Sequence, residues 1–344
     1  MIRKSVASIA VLVTFLSVGG PASAGSLVPE PVVTGKTDQF GPGAEGDTWV
    51  GWTQYVKPMF TAHIRMQDGS QHQKFRRREG SHSFFGGFDP TNDDVIFQDA
   101  KGANSNLYLY HEITDTSGAP PAGINTDLWE WAPDISTAYI LFGRNNFDTG
   151  SSPWRIVLYD RALETFQVLD SVENRCGCIW PEAVTDRYAA WTKCEARCHV
   201  FVYDTLTDTR TRVPNPDKQQ YAAALSEDGQ VYFVRSGNSC DANPRILRYT
   251  IDTDETAFVF AYPNGTNLVS GLDLVDGADL NDDLYFDRAA CNDEKYRGNI
   301  YRIRDVFTTV PAPTTSAEGS SSEARSSGTR AWRGPERPGA RPVG

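Results

Sequence analysis

Ser226-Glu-Asp-Gly-Gln-Val-Tyr-Phe233, followed after a loop by Ile246-Leu-Arg-Tyr249, is the stretch that decides the fold. Ser, Asp and Gly supply a tight turn, because short polar side chains bond their own backbone and Gly accepts left-handed dihedrals. The turn opens directly into β-branched and aromatic residues, which suit a pleated, half-buried surface. Ala222-Ala-Ala-Leu225 precedes it as a further strand. One turn, flanked by short strands, is thus a unit of antiparallel sheet.

The unit recurs along the chain. Thr48-Trp-Val-Gly-Trp52, Asp94-Val-Ile-Phe97, Tyr139-Ile-Leu-Phe142, Tyr188-Ala-Ala-Trp191, Val231-Tyr-Phe233 and Leu284-Tyr-Phe286 each end on an aromatic residue. Successive aromatics are 45, 45, 49, 42 and 53 residues apart. A following strand recurs as well, for example Leu107-Tyr-Leu-Tyr110, Ile156-Val-Leu-Tyr159, Val200-Phe-Val-Tyr203 and Ile300-Tyr-Arg-Ile303. Four short strands per unit of about 47 residues describe a propeller blade. A lone blade leaves both faces wet, so blades must stack and close into a ring. Six such units need roughly 282 residues, a seventh would need close to 330, and residues 25–310 number 286. The expected fold is all-β, a six-bladed β-propeller of four-stranded antiparallel blades.

The Ser226–Phe233 turn and the strand ending at Tyr249 resemble the repeat of TolB-like six-bladed propellers. Asp89-Pro90, Pro133-Asp134 and Asp276-Gly277 resemble it more loosely. The resemblance covers the whole repeat region and implies a fold, since propellers host many functions. Residues 25–310 leave no room for the separate amino-terminal domain of TolB itself.

Both ends read differently from the repeats. Arg3 and Lys4, the apolar run 9–18 and Ala22-Ser-Ala24 have the layout of a cleaved export signal over residues 1–24. The run is too short to span a bilayer, and no later segment is long enough to try. The protein is therefore expected to be exported, to the periplasm or the extracellular medium. Residues 311–344 are Ser, Gly, Pro, Ala and Arg with one Trp, a composition that cannot order itself and is expected to form a disordered tail.

The chain carries 33 basic and 44 acidic residues, a net of −11. Two basic residues in the signal and a net of two in the tail leave the propeller near −15. Such a body lacks the basic footprint that nucleic-acid binding needs. Six cysteines in an exported chain point to disulfides rather than metal. Loop geography predicts that Cys240 pairs with Cys291, and that Cys176 and Cys178 pair with Cys194 and Cys198.

Candidate site residues follow from repeat position. Loops joining second to third strands, and linkers between blades, share one end of a propeller, here called the top. Two residues past the repeat aromatic of blades three to six stand Arg144, Lys193, Arg235 and Arg288, expected as a cationic ring at one mouth of the channel. Such a ring would suit an anionic ligand; its bland alternative is pairing with carboxylates such as Glu130, Glu182 and Asp273. Arg76-Arg-Arg78 is expected on the same face. No nucleophile or phosphate-loop motif is present. His82, Glu130 and Glu182 are the candidates for acid–base work, the two glutamates as channel-lining carboxylates. The bottom loops are rich in Asp, including Asp89, Asp94 and Asp134. Asp276, Asp279 and Asp282 could hold calcium, against a background in which Asp favours turns; no cofactor is expected otherwise. These readings favour a monomeric, non-enzymatic binding or scaffold protein whose top face holds a protein partner or an anionic glycan. A lyase or hydrolase acting on an acidic polysaccharide is the alternative.

Overall fold

The computed structural model describes residues 27–89, 91–146, 153–173, 179–214, 218–236, 244–262, 267–275, 282–290, 298–304 and 306. The signal-like segment, the tail, Cys176, Cys178, Cys240, Cys291, Asp276 and Asp279 lie outside them.

The described chain forms six antiparallel sheets, one per repeat. Blade 1 is β2 (Asp38–Glu45), β3 (Trp49–Val56), β4 (Met59–Met66) and β5 (His72–Phe75). Blade 2 is β6 (His82–Asp89), β7 (Asp94–Lys101), β8 (Asn104–His111) and β9 (Thr116–Gly118). Blade 3 is β10 (Trp129–Ile135), β11 (Tyr139–Asn145), β12 (Trp154–Asp160) and β13 (Thr165–Val172). Blade 4 is β14 (Ile179–Val184), β15 (Tyr188–Cys194), β16 (Cys198–Asp204) and β17 (Thr209–Arg212). Blade 5 is β18 (Gln219–Leu225), β19 (Gln230–Ser236), β20 (Arg245–Thr250) and β21 (Glu255–Ala261). In blade 6 the innermost strand is split into β22 (Asn267–Leu268) and β23 (Leu272–Val275), followed by β24 (Asp283–Ala290) and β25 (Gly298–Ile303). Its outermost strand comes from the other end of the chain: β1 (Glu30–Val33) pairs antiparallel with β25. The amino-terminal strand therefore closes the ring, a point that six nearly equal repeats leave open.

Each blade interface has its own apolar core. Successive residues of a strand point to opposite faces, so each second strand feeds two cores. The repeat aromatic looks back to the preceding blade and the residue before it looks forward. Phe97 packs on Ala62, Ile64 and Phe75 of blade 1, and Ile96 on Ile140 and Phe142 of blade 3. Phe233 packs against blade 4 and Tyr232 against blade 6. Tyr285 meets Val50 and Trp52 of blade 1, completing the circle.

Packing is tight where aromatics meet glycine. The Phe85 ring of blade 2 lies on Gly43 and Gly51 of blade 1; a Cβ at Gly51 would stand 2.1 Å from Phe85 Cε2. Overpacking of this kind costs about 2 kcal/mol. Gly51→Ala is accordingly expected to lower the urea midpoint of unfolding, and an unchanged midpoint would refute the contact.

Two expectations need correction. Cys194 is bonded to Cys198, within one hairpin, and not to Cys176 or Cys178. The two residues are direct partners across β15 and β16, so neither reaches to the linker. Asp134, expected in a bottom loop, lies on the innermost strand β10. The carboxylates that do lie at the bottom are tied down: Arg161 pairs with Asp89 and, at 3.1 Å, with Asp94.

Candidate functional site

The innermost strands border the channel, and a four-residue pattern recurs on all six. It reads Phe40-Gly-Pro-Gly43, Phe84-Phe-Gly-Gly87, Trp131-Ala-Pro-Asp134, Trp180-Pro-Glu-Ala183, Tyr221-Ala-Ala-Ala224 and Ser270-Gly-Leu-Asp273. In blades 1 to 5 the first residue pairs with the position after the repeat aromatic, as Phe40 with Thr53 and Trp180 with Thr192. In all six the fourth residue pairs with the position before it, as Asp134 with Leu141 and Asp273 with Tyr285. Three steps on the inner strand thus oppose two on its neighbour, a bulge that breaks the strict alternation of faces. Gly41, Ala132 and Ala222, second in the pattern, take positive φ of 58°, 44° and 53°.

The first positions build an aromatic arc at the top of the channel. Phe60, near the start of β4, bridges Phe40 and Phe84 with ring centroids 5.8 and 5.3 Å apart. Phe84 in turn packs with Trp180 against a cluster of Trp129 and Trp131. Trp154 meets Trp131 edge-on at 5.3 Å, a favoured aromatic geometry. Phe40, Phe84, Trp180 and Tyr221 stay half-buried although they sit on innermost strands.

The fourth positions form a ring below the bulges: Gly43, Gly87, Asp134, Ala183, Ala224 and Asp273. The two aspartates occupy opposite blades, three and six. Each spans to the next blade, Asp134 accepting from the Val184 amide at 2.7 Å and Asp273 from that of Ala44 at 2.8 Å. Surrounding protein raises both carboxyls, Asp134 well above its ordinary range and Asp273 to about 7. Burial is the main cause in both, and the charge of Asp273 pushes Asp134 further up. A further carboxylate, Asp287, staples blade 6 to blade 1. It accepts from the Ser270 and Gly271 amides at 2.6 and 2.9 Å and from Gly41 at 3.3 Å.

The residues singled out from the sequence fall around this site and do not converge on it. Arg144 and Arg288 share a sheet face with the repeat aromatic, and that face is turned to the preceding blade and not to the lumen. Arg144 pairs with Glu130 at 3.1 Å, donates to the Gly123 and Ile124 carbonyls, and lies over Phe142. Lys193 reaches Asp170 of blade 3 at 2.9 Å, and Arg288 lies over Tyr262 of blade 5. Arg235 is half-buried. Arg78 is spent on Asp99 at 2.7 Å.

Glu130, expected in the channel wall, is fully buried beside Arg144. It stands one residue before Trp131, so its side chain leaves by the other sheet face. Burial raises its carboxyl, more than Thr126 and Arg144 lower it. Glu182 sits on the bulge of β14, a different repeat position, and is half-buried. His82 does reach the top of the channel. Its Nδ1 accepts from the Phe60 amide at 3.3 Å, its ring meets Phe60 at 5.5 Å, and burial and then Arg76 depress its pKa. Among the described residues, no group of three or more His, Cys, Asp or Glu is arranged to hold a metal ion. The arc and the aspartate ring were missed because the aromatic-x-x-small pattern lies on the innermost strand. A search for the longer second-strand runs passes over it.

No protein-family model matches the chain, and no curated protein does. Solved structures do. TolB from Acinetobacter baumannii is 14% identical with a TM-score of 0.51, over 75% of this chain and 64% of that one. The chain thus spans less than two thirds of that protein. A putative TolB from Agrobacterium tumefaciens is 12% identical with a TM-score of 0.50, over 79% of this chain and 92% of that one. Likeness at this identity is likeness of fold, and it supports the TolB-like propeller resemblance of the repeat.

Proposed function

We propose that the protein is an exported binding or scaffold propeller whose channel mouth holds an apolar segment of a partner protein. The observation that carries this is the aromatic arc: five of six blades place Phe, Trp or Tyr at one register of the innermost strand. Four of the five, Phe40, Phe84, Trp180 and Tyr221, stay half-buried, while Trp131 closes into the cluster with Trp129. Half-buried aromatics, rigid and large, are the anchors that protein interfaces use most. The cations first expected at the mouth serve in this reading as braces between strands and blades, with Arg235 and His82 left to contact the partner's polar groups.

The test is crosslinking in cells that produce the protein. A photoreactive phenylalanine replaces Phe84 at the mouth or, as a control, Phe258, a rim residue 54% exposed. A discrete protein adduct is expected at Phe84 and not at Phe258. Equal labelling at both sites, or no adduct at Phe84, defeats the proposal; a glycan adduct would move it to carbohydrate.

A further inference from the structure

Among the described residues, the face of blade 1 that looks toward blade 6 is covered in its lower half. There Trp52 packs with Val33, Tyr285 and Ile300, and Arg65 donates to the Val32 carbonyl at 3.0 Å. Above Trp52 the same face continues through Gln54, Val56, Thr61, His63, Lys74 and Arg76, which line an open cleft of about 360 Å³. Strand register explains the grouping. Gln54 pairs with Thr61 and His63 with Lys74, so their side chains share one side of the sheet.

The chemistry of this cleft is one-sided. Lys74 and Arg76 are both exposed. Among the described residues Lys74 forms no ion pair, and the guanidinium of Arg76 has one hydrogen bond, to Thr61 Oγ1 at 3.2 Å. Among the described residues no carboxylate lines the cleft, in a protein whose acidic residues outnumber its basic ones by 44 to 33. The floor adds no counter-charge. His63 is 3% exposed, its Nδ1 is 2.8 Å from His72 Nε2, and both rings stack on Trp52. Burial first, then His72 and Lys74, holds His63 uncharged, its pKa depressed to about 3. Gln54 accepts from the Trp52 indole at 3.4 Å through its carbonyl, which turns its amide nitrogen to the cleft as a donor. Val56, 54% exposed, forms an apolar wall.

Two cations with no ion pair among the described residues, an amide donor, a hydroxyl and an apolar wall make a site for a ligand rich in acceptor oxygens with one C–H face. We propose that this cleft binds an acidic saccharide, Lys74 and Arg76 holding its carboxylate or sulfate, Gln54 and Thr61 bonding the adjacent hydroxyls. The site is separate from the aromatic arc and stands or falls independently of it.

Calorimetric titration of the full chain with a galacturonate trisaccharide and a sulfated tetrasaccharide tests this, with maltotriose and polyglutamate as controls. Both acidic sugars are expected to bind, more weakly as salt rises. Lys74→Ala and Arg76→Ala should each weaken binding roughly five- to tenfold, as loss of one charge-assisted contact does, and the double variant should abolish it. Lys101→Ala, whose ammonium bonds the Glu79 carbonyl instead, should leave affinity unchanged. All three side chains are exposed, and equal unfolding midpoints will show that the variants fold. Maltotriose binding as tightly as the acidic sugars, or a double variant that retains affinity, overturns the proposal. Equal binding of polyglutamate overturns the saccharide assignment.

Discussion

Arg302→Met is expected to destabilise the protein by about 3–5 kcal/mol, the usual cost of stripping one partner from a buried charge cluster, and to loosen β1 first. Arg302 lies on β25 with its side chain 8% exposed. Its guanidinium donates to Glu30 on β1 at 3.2 Å, to Asp47 and Gln67 of blade 1 at 3.2 and 3.1 Å, and to the Tyr285 hydroxyl at 3.2 Å. Asp283 stands 3.5 Å away. One side chain thus joins the closing strand, the first blade and the last. Methionine fills much of the volume but leaves Asp283 and the Tyr285 hydroxyl without their cation. Urea unfolding should show the loss, and limited proteolysis should cut between residues 34 and 37 before any other linker. Glu30→Gln, at a carboxylate half exposed to water, should cost under about 1 kcal/mol. Equal midpoints for Arg302→Met and the parent would show that the ring closes without this clamp.

The second large effect depends on pH. Asp273 has its carboxyl raised to about 7 by the surrounding protein, whereas in the unfolded chain it titrates near 4. The folded state therefore holds this proton more tightly than the unfolded one. Stability from it is complete below pH 4 and is lost as pH rises toward 7, when an uncompensated charge forms in the lumen. The loss is about 4 kcal/mol, roughly three pKa units at about 1.4 kcal/mol each. Asp273→Asn keeps a group that can accept from the Ala44 amide and cannot ionise. The difference in stability between variant and parent is expected to move in favour of the variant by that amount between pH 4 and pH 8. Glu45 and Glu112, raised to about 7 and about 8 by burial first and then by neighbouring carboxylates, titrate in both proteins and cancel. A difference that stays flat with pH would mean that Asp273 ionises normally.

Much of the fold was legible because propeller blades repeat a two-residue alternation at a fixed spacing. The repeat aromatics from Trp52 to Phe286 each fill the same place against the preceding blade, and their number equals the number of blades. The site was less legible. Arg144 and Lys193 were correctly placed in the repeat, yet repeat position does not say which sheet face a side chain leaves by. Glu130, the partner of Arg144, lies 14 residues before it and directly across the same sheet, whereas Asp170, the partner of Lys193, lies 23 residues before it in the neighbouring blade, a relation only the stacked sheets create. Cys194 and Cys198 were read as reaching other loops, and the hairpin register joined them to each other.

By itself the sequence determined what is local and periodic: short strands, tight turns, six repeats and an acidic surface. Those depend on dihedral preference and alternation, which act between neighbours in the chain. The tertiary structure decided which strand closes the ring, which cations are spent, and that a bulge in the innermost strands of blades 1 to 5 gathers the aromatics at the channel mouth. Those depend on contacts between residues up to 272 positions apart, as between Glu30 and Arg302, and no short-range pattern encodes them.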